Sequence, residues 1–164
     1  FLRSMAAGHS EILVQSLEDF TNGPRARVLA FGFYRELLDS LPLDVARTLL
    51  LRKGVECARL LARHLPPPCV LKGKPVVPEL TRFVLDSYGQ DERVFREFSV
   101  GVHGFEAWTG ERSEHATSQA RLAELFLEDP SPIIRKWARE EVHNQLAFAQ
   151  SARAREERED FERG

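Results

Sequence analysis

Glu140 and His143 stand three residues apart in a segment of helical period. At that spacing a carboxylate and an imidazole project from one helix face, as they do in carboxylate-bridged di-iron bundles. Such a site needs a second Glu-x-x-His and two further glutamates. Glu111 and His115 are one residue too far apart, so half of the motif exists and a surface Glu and His is the simpler expectation. Leu71-Lys72-Gly73-Lys74-Pro75 has the look of a phosphate-binding loop, which requires Gly five residues before the Gly-Lys pair and Ser or Thr after it. Those places hold Pro68 and Pro75, and the motif fails. Cys57 and Cys69 match no zinc or redox spacing, no G-x-S-x-G is present, and the five histidines are scattered along the chain. The expectation is a non-catalytic protein that needs no metal and no cofactor.

What remains is surface chemistry. Arg52, Lys53, Arg59 and Arg63 share the exposed side of one long predicted helix, and Lys72 and Lys74 follow in a loop. A basic ridge over residues 52–74 could contact nucleic-acid phosphates. Asp44 and Glu56 interrupt it, and charged helix surfaces are ordinary. Trp108, in an aromatic-bearing turn from Gly104 to Gly110, has the residue type of an interface anchor. Its alternative role is to close the core between adjacent helical pairs.

The elements that position these groups are helical. The first spans residues 10–20, with Leu13, Leu17 and Phe20 on one face, and the next runs from Pro24 to about Leu41. A long helix follows over 44–65. Its polar residues Asp44, Thr48, Arg52, Glu56, Arg59 and Arg63 advance by four and three, leaving one narrow exposed stripe and implying neighbours on two sides. Pro66-Pro67-Pro68 stops it. Residues 69–77 lack helical period and are predicted as an extended loop with at most a short strand. Pro78 opens a short helix to Tyr88 with Gly89 as its stop, and Asp91 caps the next, to about 104. Helices over 113–128 and 131–150 complete the set, the last with Ser131 as N-cap and Pro132 in first position. The charged stretch 151–164 extends that helix or frays.

The fold class is therefore all-α, with about seven helices in one domain of 164 residues, large enough to bury roughly 70% of its unfolded surface. With 43% hydrophobic and 29% charged residues the chain is an ordinary globular one. A net charge of −2 argues against a protein that mainly coats nucleic acid. Two cysteines suit reduced thiols in the cytoplasm, and no apolar run approaches the roughly 18 residues of a membrane span. Either Phe1–Ser4 precede a native start at Met5, or the chain is a fragment of something longer.

Helices 25–41 and 43–65, 78–88 and 91–104, and 113–128 and 131–150 form three consecutive pairs. Val45 and Val94 are 49 residues apart, Val94 and Ile134 40 apart, against a period of roughly 40–47 for HEAT and armadillo repeats. Asp129-Pro-Ser-Pro-Ile-Ile-Arg-Lys-Trp-Ala138, within 128–142, resembles the start of the second helix of a HEAT repeat. The resemblance implies ladder roles for Asp129 and Arg135, core roles for Ile134, Trp137 and Ala138, and a stack that binds another protein as a scaffold or adaptor. The chain departs from the pattern at Val94, which Phe95 follows in place of Arg. Nucleic-acid backbone binding through the ridge is the alternative function, with a helical enzyme or metalloprotein behind it.

Overall fold

The computed structural model describes residues 42–103 and 110–163, with side chains to residue 158. The two predicted helices before Pro42 lie outside these residues, and so does Trp108. Among the described residues the chain is mostly helical: α1 (Leu43–Ala62), β1 (Cys69–Leu71), β2 (Lys74–Val76), α2 (Glu79–Tyr88), α3 (Glu92–Val102), α4 (Arg112–Glu124) and α5 (Pro132–Arg163). The chain divides into two compact units. The first holds α1, α2 and α3, and the second holds the β-hairpin with α4 and α5.

In the first unit α1 packs against both α2 and α3. Leu49, Leu50, Leu61, Val84, Leu85, Val94 and Phe98 are fully buried among the three helices, each contributing on the order of 1.5–3 kcal/mol by leaving water. The uninterrupted helix expected over 44–65 is not found. Gly54 has φ 69° and ψ −154°, and two helical segments meet there at a kink. Glycine alone adopts that conformation readily. Leu51, Arg52 and Lys53, in the turn before the break, are exposed, so water can reach their carbonyls. The exposed surface is also wider than one stripe, since Arg47, Leu51 and Lys53 join Thr48 and Arg52.

Two features fix the crossing of these helices. Tyr88 Oη donates to the Leu50 carbonyl at 3.2 Å, and the buried Thr81 hydroxyl donates to the Pro66 carbonyl at 2.6 Å. Gly101 of α3 lies so close to the Arg63 carbonyl that a Cβ there would overlap it. Asp91 caps α3 as expected, its carboxylate accepting from the Arg93 amide at 2.9 Å. Gly89 ends α2 in a right-handed conformation, φ −69°, rather than as the left-handed stop that glycine often supplies.

The second unit is a helical hairpin with a different interior. The buried residues of α4 are Ser113, Ala116, Ala120 and Ala123, spaced three, four and three apart. On α5 Ile133, Ile134, Trp137 and Ala138 are buried near the turn, and beyond Glu141 the buried residues are Ala149 and Ala152. Small side chains on facing stripes bring helix axes close. At the turn, Trp137 packs edge-on against Phe126 with ring centroids 5.9 Å apart. Ser131 caps α5, its Oγ accepting from the Ile134 amide at 3.4 Å, and Pro132 opens the helix as predicted.

Residues 69–77 are more ordered than an extended loop. Cys69 pairs with Val76, Val70 with Pro75 and Leu71 with Lys74 in an antiparallel hairpin. Its two-residue turn has both centres at positive φ, Lys72 at 51° and Gly73 at 75°, which is the turn geometry that matches strand twist.

Candidate functional site

The basic ridge begins with α1. Beyond the Gly54 kink, Arg59 Nε donates to Glu56 Oε2 at 3.1 Å. Glu56 Oε1 also accepts from Arg93 Nη1 of α3 at 2.7 Å, while Arg93 Nη2 reaches Asp91 Oδ2 at 3.0 Å. Arg63 Nη1 lies 3.7 Å from Glu97 Oε2. Arg52 and Lys53 have interactions of their own. The hydrogen bond from Arg59, then the charge of Arg93, holds the Glu56 carboxyl below the usual carboxylate value. Asp91 is lowered chiefly by the Arg93 guanidinium, and Arg93 is raised by Asp91. Arg59 and Arg63 thus face carboxylates, and a phosphate would have to displace those partners.

Lys72 and Lys74 belong to the hairpin of the second unit and are exposed. Lys72 occupies the turn, and Lys74 pairs with Leu71 at the end of the ladder. Val70 (41% exposed) and Leu71 (58%) present apolar surface beside them. The ridge predicted over 52–74 is therefore divided between two units, with the turn lysines joined to an apolar edge.

The repeat positions are placed as follows. Asp129 Oδ1 accepts from the Ser131 amide at 2.9 Å. Arg135 Nη1 donates to the backbone carbonyls of Asp129 at 2.6 Å and Pro130 at 3.0 Å. Both residues close their own turn. Ile134, Trp137 and Ala138 are buried, as expected of core positions.

Glu140 and His143 are exposed, and no group of three His, Cys, Asp or Glu is gathered for a metal ion among the described residues. Two other carboxylates are organised instead. Glu141 is buried in the alanine seam, accepting from Gln145 Nε2 at 2.9 Å. Its position, three after Ala138 and four before Gln145, is the signal that could have found it.

Glu156 is the second. Its Oε1 accepts from the Arg112 amide at 2.9 Å and the Ser113 amide at 3.3 Å, and its Oε2 from the Ser113 hydroxyl at 2.6 Å. A carboxylate from the far end of α5 thereby satisfies the first donors of α4. The Ser113 hydroxyl is the main reason why its carboxyl is held below the usual value. The charged extension is packed at least this far, since Ala152 is buried one turn earlier.

Large apolar side chains remain outside both interiors: Leu51 (78% exposed) and Val100 in the first unit, Leu125, Leu146 (42%) and Phe148 (51%) in the second. Leu146 lies four after Val142 and three before Ala149, whereas Phe148 lies three after Gln145 and four before Ala152. They border the buried stripe of α5 on opposite sides.

No helix of the described residues is long and apolar enough to cross a membrane. No family model, curated protein or solved structure matches the chain.

Proposed function

We propose that this chain is a non-catalytic protein-interaction module, acting as a scaffold or adaptor or as the recognition part of a longer protein. The observation that carries this reading is the pair Leu146 and Phe148, large side chains exposed along both flanks of the α5 segment that buries only Ala149 and Ala152 beyond Glu141. Isolated exposed leucines are common. Two along the same helix, beside a stripe of buried alanines, suit a surface that a partner covers.

A stack of helical pairs of the HEAT type is part of the proposal, supported by the α4–α5 hairpin and the Asp129–Ala138 turn. Cytoplasmic residence is a further part, supported by two thiols, Cys57 and Cys69, with no disulfide between them.

A photo-cross-linking amino acid replacing Phe148 in the full chain tests the reading. The expected result is one reproducible adduct whose purified partner binds the wild type and fails to bind Leu146→Glu combined with Phe148→Glu. Equal binding of that partner to the double variant, or no adduct with any protein, defeats it.

A further inference from the structure

The hairpin has two edges of different character. Its two-residue turn makes Leu71–Lys74 the closing hydrogen-bonded pair. In an antiparallel ladder hydrogen-bonded pairs alternate with non-bonded ones. Val70–Pro75 is therefore a non-bonded pair, and the backbone groups of both residues point away from the partner strand. On β2 the residue so placed is Pro75, which has no N–H to offer and whose ring obstructs a further strand. On β1 it is Val70, whose N–H and C=O both point outward. The sheet has only these two strands among the described residues. One edge is closed by a proline, and no strand of the described residues pairs with the other.

The open edge has a defined chemistry. Val70 and Leu71 project to opposite faces of the hairpin and are both exposed. Lys72 and Lys74 stand at its tip, and residues 69–76 include no acidic side chain. An added strand would thus meet backbone donors and acceptors, an apolar side chain on each face, and two positive charges.

We propose that the outer edge of β1, centred on Val70, docks an extended acidic segment of a partner protein as a third strand. The inference rests on the interaction-module reading and names one surface and one partner class for it. A partner helix has no free backbone ladder to match the edge. A second copy pairing β1 with β1 would gather four lysines on one sheet, with no acid in either hairpin. An anionic membrane usually draws clusters of four or more basic residues, twice what this tip carries. Strand addition derives affinity from the main chain and selectivity from the side chains beside it.

The test is an NMR titration of the isotope-labelled full chain with a blocked heptapeptide of alternating Glu and Val. The expected result is saturable shifts confined to residues 69–76 and slower exchange of the Val70 amide. Val70→Pro removes the outward donor without touching a ladder bond and should abolish the saturable shifts in the other residues of 69–76. Lys72→Glu with Lys74→Glu, at exposed positions, should weaken binding about tenfold and transfer the preference to the heptapeptide with Lys in place of Glu.

Several results would overturn the proposal. They are no shift in residues 69–76, equal shifts with both peptides, shifts that follow protein concentration without peptide, or shifts produced by phosphatidylserine vesicles and not by the peptide. A partner cross-linked at position 148 that binds Val70→Pro unchanged, together with a negative titration, removes this inference and leaves the broader reading standing. Absence of any cross-linked partner removes the broader reading instead.

Discussion

The two units solve the problem of burying helices with opposite materials. In the first, short helices cross α1, and the space between them is filled by Leu49, Leu50, Leu61, Leu85 and Phe98. At Gly101 backbone approaches the Arg63 backbone closely. In the second, α4 packs on α5, with Ala116, Ala120 and Ala123 buried on one helix, Ala149 and Ala152 on the other, and Phe126, Ile134 and Trp137 at the turn. Each alanine buries little apolar area, so the helical hairpin depends on the large side chains at its turn, on length, and on the polar closures at Ser131 and Glu156. The comparison shows why large apolar residues are left over in the second unit. A seam narrow enough for alanine has no room for Leu146 or Phe148.

Substitutions of opposite size sharpen the contrast. Phe98→Ala should produce the largest loss, about 3–5 kcal/mol by chemical denaturation, because it opens a cavity in a core of large side chains. Ala120→Leu should cost about 1–3 kcal/mol by forcing the α4–α5 seam apart. The same volume added at an exposed α4 position such as Ser118 should be nearly neutral. Unchanged stability with leucine at 120 would mean that the two helices are not held close at that position. Gly101→Ala should cost a similar 1–3 kcal/mol, since its Cβ meets the Arg63 backbone, which cannot rotate away as a side chain would.

Smaller effects separate the polar closures. Glu156 has a lowered carboxyl value, so the folded state binds its proton less tightly than the unfolded state. The resulting stability is fully present above the ordinary glutamate value of about 4.3. It is lost as pH falls through the lower folded value. Protection of the Ser113 amide from hydrogen exchange, measured against its intrinsic rate at each pH, should therefore fall on acidification through that window in the wild type. Glu156→Gln should exchange faster at neutral pH and lose that acid-dependent step. Reading a single amide keeps Glu56 and Asp91, which shift in the same direction in the first unit, out of the result. The smallest effect belongs to Arg93→Ala. Its ion pairs with Glu56 and Asp91 are solvent-exposed, and exposed pairs contribute little and are screened by salt. A melting-temperature change that survives high salt would mean that Arg93 acts by packing instead.

The caps were legible in the sequence because they are local. Asp91 needs only the amide two residues on, and Ser131 with Pro132 needs only the first turn of its own helix. The hairpin was less legible, since its turn places a lysine at positive φ where Asn or Asp is the common signal. The Gly54 break was hidden because the polar residues keep helical spacing through it. Arg59 and Arg63 were visible as exposed cations, but Arg93, which pairs with Glu56, and Glu97, which pairs with Arg63, come from another helix. Glu156 lies 43 residues from Ser113, too far for any local pattern to join them.

By itself the sequence determined the helical character of the chain, most element boundaries after Pro42, and the burial of Ile134, Trp137 and Ala138. Those follow from periodicity, capping and proline, which act within a few residues. Tertiary structure alone decided which charges are engaged, where α1 breaks, and that residues 69–76 pair as a two-stranded hairpin with Pro75 on one edge. Those depend on which distant groups come within hydrogen-bonding or van der Waals distance, which no spacing along the chain encodes.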